Sequence, residues 1–96
     1  MDIERLLREK RDDIRAVASR HGACNIRVFG SAVRGEAGPD SDIDFLIDVG
    51  PSTSSWFPAG LILDLEEILG RRVEVVTARA LNPYIRDQVL NEAVPL

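Results

Sequence analysis

The sequence predicts an α/β or α+β domain in which helices pack on one sheet of three or four strands. Segments with apolar residues at helical spacing alternate along the chain with short runs in which apolar and polar residues alternate. Glycine or proline separates most of these segments. A chain of 96 residues with 45% hydrophobic and 29% charged residues has the composition of a folded domain. These observations favour one domain that extends over residues 1–96.

The N-terminal segment, residues 3–21, is predicted to form one amphipathic helix. Asp2 is a candidate N-cap, and Gly22 is expected to end the helix. The charged residues of this segment indicate a solvated face with short-range ion pairs, in preference to a phosphate-binding patch. The predicted apolar face consists of Ile3, Leu6, Leu7, Ile14, Val17 and Ala18.

Two strands are predicted next, with a short helix and a loop between them. Asn25 to Phe29 alternate as a strand does, and Ser31 to Arg34 can start a helical turn. A loop rich in turn-forming residues follows over residues 35–41. The second strand is predicted from Ile43 to Val49, and the residues expected to face the helices are Ile43, Phe45 and Ile47.

Residues 50–60 contain glycine, proline and serine and are expected to form a mobile loop. Gly70 and Asn82 are expected to cap the helices before and after the third strand. Val73 and Val75 should face the core. The remaining elements are a helix from Leu61 to Leu69, a strand from Arg72 to Thr77 and a helix from Pro83 to Ala93.

The composition excludes several classes of protein. One cysteine cannot form an intrachain disulfide, which excludes a secreted, disulfide-stapled scaffold. No apolar run reaches the roughly 20 residues that cross a bilayer, and the N-terminus has no signal-peptide core. A formal net charge of −4 argues against direct nucleic-acid binding. We therefore expect a cytoplasmic protein that contacts neither membranes nor nucleic acid directly.

Two carboxylates open the second predicted strand. Asp42 and Asp44 are two residues apart, and residues at that spacing project from the same face of a strand. Neighbouring carboxylates repel each other unless a cation lies between them, and Mg²⁺ prefers oxygen ligands. The pair therefore indicates a divalent-metal site, although Asp-x-Asp by itself is also common at the start of an ordinary strand.

A second signal, Gly30-Ser31, directly follows the first predicted strand and opens the short helix. Glycine lets a ligand approach the backbone closely, and Ser31 offers a hydroxyl beside the N–H groups of a helix N-terminus. Alone, the dipeptide would also suit a plain strand-to-helix turn. In combination with Asp42 and Asp44 it predicts a site for a nucleotide and Mg²⁺.

This combination resembles the signature of the polymerase-beta-like nucleotidyltransferases, and in particular the minimal nucleotidyltransferases, whose whole chain has about this size. The resemblance implies a small mixed β-sheet of three to four strands with helices mainly on one side. It also implies that residues 1–96 form a single minimal nucleotidyltransferase domain. The matching stretches are Val28-Phe29-Gly30-Ser31, Arg34-Gly35, the run from Ser41 to Ile47 that contains Asp42-Ile43-Asp44, and Leu69-Gly70-Arg71-Arg72-Val73.

The resemblance further implies roles for individual residues. Asp42 and Asp44 would hold two Mg²⁺ ions, and Glu74 stands where the family usually has a third carboxylate, an Asp. Glu74 would be a metal ligand and help to deprotonate the attacking hydroxyl, although an ordinary surface Glu is the alternative. The phosphates of ATP would be bound by Gly30, Ser31 and Arg34.

The resemblance also implies a partner. Family members this small typically pair with a HEPN-domain RNase toxin, which they neutralise as antitoxins by transferring AMP from ATP to a tyrosine of the toxin. Two alternatives stay open: a non-catalytic module that masks its partner sterically, and an enzyme that modifies a small molecule. Apolar residues of the last predicted helix would suit an interface with the partner or with a second copy of the chain.

Five further residues are expected to be structural. His21 is predicted to be a partly exposed helix cap, Cys24 a half-buried apolar residue and Asp48 a solvated carboxylate. Trp56 and Phe57 are expected to anchor their loop on the core, with stacking on a base or contact with a partner as the alternatives.

Overall fold

A mixed β-sheet organises the molecule. The computed structural model describes residues 3–36, 38 and 40–96. In that part of the chain the strands are β1 (Ala23–Phe29), β2 (Ile43–Val49), β3 (Val73–Thr77) and β4 (Val94–Pro95), in the spatial order β3-β2-β1-β4. β2 runs antiparallel to β1 and parallel to β3, and β4 is antiparallel to β1. The predicted class, with a small mixed sheet of three to four strands, is confirmed.

Helices connect the strands. They are α1 (Ile3–Glu9), α2 (Arg11–Arg20), α3 (Ser31–Arg34), α4 (Ala59–Leu69) and α5 (Pro83–Glu92), with a 3-10 helix over Ala78–Ala80 after β3. In the described ranges, no helix has the length and apolar character that crossing a membrane requires.

The N-terminal segment forms two helices and not the single one predicted. The break is at Lys10, whose backbone (φ −100°, ψ 6°) departs from helical geometry. A physical reason is visible in the sequence: no apolar residue lies between Leu7 and Ile14, so no buried side chain holds the intervening turn against the core. Gly22 follows α2 at φ +89°, as expected of a C-terminal glycine. Asp2, the predicted N-cap, lies outside the described residues.

The main core lies on one face of the sheet, beneath α1, α2 and α4. In β2, Ile43, Phe45 and Ile47 are buried as predicted, and Leu46 on the opposite face is buried as well. Val73 is buried and Val75 packs against the same cluster. From the helices the core receives Ile3, Leu7, Ile14, Val17, Ala18, Leu61, Leu65 and Leu69. Alternation therefore leaves the opposite face of β2 for other side chains.

Some boundaries differ from the prediction. β1 begins at Ala23, because a bulge between Cys24 and Arg27 lets the strand continue through Asn25 at φ +50°. α4 begins at Ala59, two residues before the predicted start at Leu61. β4 was not predicted as a strand, since two residues are too few to show alternation.

The loop before α4, expected to be mobile, is tied to the end of α2. The N–H of Gly50 donates to the carbonyl of Gly22 at 2.8 Å, and the N–H of Ser54 donates to the carbonyl of His21 at 3.1 Å. The His21 ring also lies between two side chains, with Nδ1 2.6 Å from Ser54 Oγ and Nε2 2.7 Å from Asp64 Oδ2. His21 is thus the helix cap that was predicted, and it also fastens the loop to α4.

The last helix, α5, contains no buried residue. Asn82 is its N-cap, as predicted, and its side chain accepts from the N–H of Tyr84 at 2.9 Å. Tyr84 is 96% exposed and Ile85 46% exposed, so these two residues of the predicted apolar face lie outside the core. The helix is followed by β4, which pairs with β1.

Candidate active site

The register of the sheet places two of the predicted site carboxylates side by side. Asp44 of β2 pairs with Glu74 of the parallel strand β3, and with Phe29 at the end of β1. Both carboxylates alternate with core residues, so they lie on the face of the sheet away from the main core. Glu74 is exposed and Asp44 is half-buried. The sheet therefore places Glu74 of β3 beside Asp44 of β2.

The Gly30-Ser31 turn meets the same carboxylate. Gly30 has φ +77° and ψ −151°, a conformation that side-chain-bearing residues rarely adopt. A Cβ atom at Gly30 would collide with Oδ2 of Asp44, so the absence of a side chain is also what lets the carboxylate lie against the turn. Ser31 starts α3 directly after this contact. The two halves of the sequence signature are therefore in contact.

The surroundings of Asp44 disfavour its negative charge. Burial raises its pKa most, followed by the charge of Glu74, a hydrogen bond with Glu74 and the charge of Asp42, while Arg34 opposes the shift. The resulting pKa is about 6. A bound cation would relieve this repulsion, as expected of carboxylates that share a metal site.

Asp42 lies one residue before β2 and is exposed. Within the ranges that the structure describes, no three His, Cys, Asp or Glu side chains are gathered closely enough to hold a metal by themselves. Mg²⁺, however, is usually bound by one or two carboxylates together with waters and substrate phosphates. The arrangement of Asp44 beside Glu74, with Asp42 next to them, fits a metal that arrives with a nucleotide.

A further residue at the turn, Glu92, was missed by sequence reasoning. Its Oε1 atom accepts from the N–H of Gly30 at 2.6 Å and from Nη1 of Arg34 at 2.9 Å. Arg34 also donates to Glu36 at 3.1 Å, and this hydrogen bond, then the charge of Glu92, raises the pKa of the guanidinium. Glu92 ends the exposed helix α5 and belongs to no recognisable motif, so only the fold reveals its place beside the turn.

The other singled-out residues lie elsewhere. Asp48 was predicted to be a solvated carboxylate, but it has two partners. It pairs with Arg27 at 2.8 Å and accepts a hydrogen bond from Asn25 at 2.9 Å. The hydrogen bond from Asn25, more than the charge of Arg27, lowers the pKa of Asp48. Cys24 is exposed and not half-buried, since it follows the buried Ala23 and so lies on the other face of β1.

The aromatic pair of the loop after β2 separates. Phe57 packs against the core, as predicted, whereas Trp56 is 85% exposed. The loop follows the C-terminal end of β2, while Asp42 precedes its N-terminal end. A strand of seven residues is roughly 20 Å long. The loop that contains Trp56 therefore begins far from Asp42. The structure gives no support to the alternative that Trp56 stacks on a nucleotide base beside the carboxylates.

Two comparisons at the level of sequence relate the chain to known proteins. The sequence model of the nucleotidyltransferase domain matches residues 11–96. The protein adenylyltransferase MntA of Thermococcus cleftensis is 40% identical over 93 residues, which are 97% of this chain and 91% of that protein.

Solved structures extend the comparison. One that is described as a minimal nucleotidyltransferase is 47% identical and superposes with a TM-score of 0.86, over 100% of this chain and 97% of that chain. A toxin–antitoxin crystal structure with AMP-PNP, 22% identical, shares the fold at a TM-score of 0.66, over 98% of this chain and 68% of that chain. The chain therefore belongs to the nucleotidyltransferase domain family and, within it, to the minimal nucleotidyltransferases.

Proposed function

We propose that this nucleotidyltransferase transfers AMP from ATP to a hydroxyl of a partner protein. The observation that carries the proposal is the meeting of Asp44 with Glu74 on one side and with the Gly30 turn on the other. A carboxylate cluster against a phosphate-binding turn suits the transfer of a nucleotidyl group. The name of the Thermococcus relative, a protein adenylyltransferase, supports AMP as the group and a protein as the acceptor.

In this proposal Asp42, Asp44 and Glu74 would be the ligands of Mg²⁺. Two Mg²⁺ ions are expected. Mg²⁺ bound there would neutralise charge on the triphosphate and favour ionisation of the attacking hydroxyl. The hydroxyl and N–H of Ser31, beside Gly30, bind phosphate oxygens at the start of α3. Arg34 adds a charge-assisted hydrogen bond to the triphosphate.

The transfer is a displacement at the α-phosphorus. The acceptor oxygen forms a bond to that phosphorus, and the bond from it to the oxygen that bridges to the β-phosphate breaks. Pyrophosphate leaves with the electron pair of that bond. Glu74, which is exposed beside Asp44, accepts the proton of the acceptor hydroxyl as general base. Positioning and charge neutralisation carry most of such a reaction, and both are within reach of a small chain.

We further propose that the acceptor is a tyrosine of a HEPN-domain RNase toxin and that the chain is its antitoxin. The fold is shared with a toxin–antitoxin structure that contains AMP-PNP, which supports a toxin as partner. In this role we expect the acceptor to supply most of the recognition surface, since the chain is small.

Incubation of the chain with ATP, Mg²⁺ and its purified HEPN partner tests the proposal. Intact-mass spectrometry should find the partner heavier by one adenylyl group, and fragmentation should place that group on a tyrosine. Asp42→Asn with Asp44→Asn should abolish the modification, because the metal ligands are lost. Omission of Mg²⁺ should have the same effect.

Asp48→Asn is the matched control, since it removes a carboxylate from the same strand that is engaged with Arg27. This variant should modify the partner as the parent does. A partner that is neutralised without any gain in mass would contradict the proposal and would instead indicate steric masking, the non-catalytic alternative.

A further inference from the structure

One arginine side chain holds the segment that presents Asp42. The strand pairs of β2 begin at Ile43, so the ladder that fixes Asp44 does not include Asp42. The Nη2 atom of Arg71 donates to the carbonyl of Ser41, the residue directly before Asp42, at 2.8 Å. The position of Asp42 therefore depends on this side chain as well as on the sheet.

The other flank of Asp42 is held by the neighbour of Arg71. The N–H of Ile43 donates to the carbonyl of Arg72 at 3.0 Å. Asp42 thus lies between Ser41, held by the Arg71 side chain, and Ile43, held by the Arg72 backbone. The two arginines directly precede β3, so the segment that leads into β3 is hydrogen-bonded to the residues on both sides of Asp42.

Arg71 also closes the turn from which Asp42 emerges. Its Nη2 atom donates to the carbonyl of Gly38 at 2.6 Å, so one nitrogen joins both ends of the turn. Within the turn, the N–H of Ser41 donates to the carbonyl of Gly38 at 3.2 Å, and the N–H of Gly38 donates to Oγ of Ser41 at 2.9 Å. Loss of Arg71 would remove two hydrogen bonds, one to the carbonyl of Gly38 and one to the carbonyl of Ser41.

Among the described residues, the Arg71 side chain is held by backbone carbonyls alone. Both acceptors of Arg71 are backbone carbonyls, and no carboxylate among the described residues forms an ion pair with it. Its Nε atom is buried and has no acceptor in the same part of the chain. A buried donor without an acceptor destabilises the folded state.

We infer that Arg71 is a positioning residue, which fixes the Asp42 carboxylate relative to Asp44 and Glu74. The inference rests on the proposed function, in which these carboxylates act together on one metal–nucleotide complex. Displacement of a reacting or ligating group by about 1 Å can lower a rate by about 100-fold. Arg71 should therefore affect metal affinity and turnover more than the affinity for ATP.

Arg71→Met tests this inference, and Arg72→Met is the matched control because the Arg72 side chain is exposed and only its backbone is used. Calorimetry with Mn²⁺ in the presence of ATP, without the partner, should show about 10-fold weaker metal binding for Arg71→Met. With ATP and the partner, kcat should fall by about 10- to 100-fold while the KM for ATP changes less than about 3-fold. Arg72→Met should match the parent in all three measurements.

A double-mutant comparison separates positioning from general destabilisation. In an Asp42→Asn background, Arg71→Met should cause no further loss of Mn²⁺ affinity, because it acts through Asp42. An additional loss of the same size, or unchanged Mn²⁺ affinity in the single variant, would overturn the inference. If Arg71→Met does not fold, Arg71→Lys is measured in its place. Its loss of Mn²⁺ affinity should be smaller than that expected for Arg71→Met. An Arg71→Lys variant that binds Mn²⁺ as tightly as the parent would again overturn the inference.

The two hypotheses fail in different ways. A parent chain that binds Mn²⁺ but transfers no AMP would refute the proposed function. Arg71 would still be confirmed as a positioning residue if Arg71→Met weakened Mn²⁺ binding and Arg72→Met did not.

Discussion

At the scale of single residues, Asp44 determines the electrostatics of the site. It lies on β2, which pairs with β1 on one side and with β3 on the other. Its side chain touches the Gly30 turn, and its partner on β3 is Glu74. A carboxylate that is partly buried beside two others is costly to ionise, and its pKa of about 6 reflects that cost. Such a position is unfavourable for folding and favourable for binding a cation.

The raised pKa predicts how the metal-free protein responds to pH. Protonated Asp44 is favoured in the folded state, so its contribution to stability is present below the unfolded pKa near 4 and is lost as pH rises through about 6. Asp44→Asn should therefore unfold at a higher temperature than the parent in EDTA at pH 7.5, and this advantage should shrink at pH 4.5. Thermal unfolding followed by circular dichroism measures both values.

Asp42→Asn is the comparison for this experiment, since Asp42 is exposed. It should stabilise the metal-free protein less than Asp44→Asn does at pH 7.5. Equal midpoints for Asp44→Asn and the parent at both pH values would refute the account of the Asp44 environment.

At the scale of elements, the site depends on how β1 passes into α3. The strand ends at Phe29, which pairs with Asp44, and Gly30 turns the chain at a positive φ so that Ser31 begins the helix. Glu92 approaches the same turn from the end of α5 and accepts the N–H of Gly30. One glycine therefore connects a strand, two helices and a carboxylate of the neighbouring strand.

This connection predicts a large effect for Gly30→Ala. The variant has to bear an unfavourable φ and also displace the Asp44 carboxylate, so the free energy of unfolding should fall by about 2–3 kcal/mol or more. ATP binding should also be lost, because the turn and the carboxylate move apart. Urea denaturation and calorimetry measure the two effects.

Gly70→Ala provides the control for backbone strain alone. Gly70 ends α4 at φ +66°, and a Cβ atom there would meet nothing within 4 Å. Its cost should be about 1 kcal/mol, without an effect on ATP binding. A Gly30→Ala variant no less stable than Gly70→Ala would show that the contact with Asp44 is unimportant.

At the scale of the whole molecule, the sheet separates stability from chemistry. One face of β2 contributes Ile43, Phe45 and Ile47 to the core, and the other presents Asp44 beside Glu74. α4 packs on the core face. Substitutions in that layer should therefore change stability without changing the site.

Leu65→Ala tests this separation. Leu65 is fully buried in α4, so its truncation should lower the free energy of unfolding by about 2–5 kcal/mol. The dissociation constant for ATP, measured at a temperature where the variant is folded, should stay within about 2-fold of the parent value. Leu63→Ala, on the 63% exposed side chain of the same helix, should change stability by less than about 0.5 kcal/mol. A large loss of ATP affinity in folded Leu65→Ala would contradict the separation of the faces.

Much of this architecture could be predicted from local sequence signals. Alternation identified the core residues of β2, and a polar side chain before proline identified the N-cap Asn82. The family resemblance singled out Glu74 as a third carboxylate, whereas its pairing with Asp44 is seen only in the register of the sheet. The roles assigned to these site residues stay predictions until the variants above are measured.

What the sequence did not reveal depends on contacts between distant segments. Glu92 lies in no matched stretch, and Arg71 lies in one but received no role from it. Their contacts arise only because α5 ends beside the Gly30 turn and β3 begins beside Ser41. The break at Lys10 and the bulge in β1 are small changes of backbone direction, for which hydrophobic periodicity gives only a weak signal.

The exposure of Asp42 and Glu74 has a kinetic consequence. An acceptor hydroxyl carried by another protein can approach these carboxylates from solvent, so we expect the upper limit of the rate to be set by encounter of the two proteins. Turnover should then rise with acceptor concentration up to saturation and should fall with solvent viscosity when the acceptor is dilute.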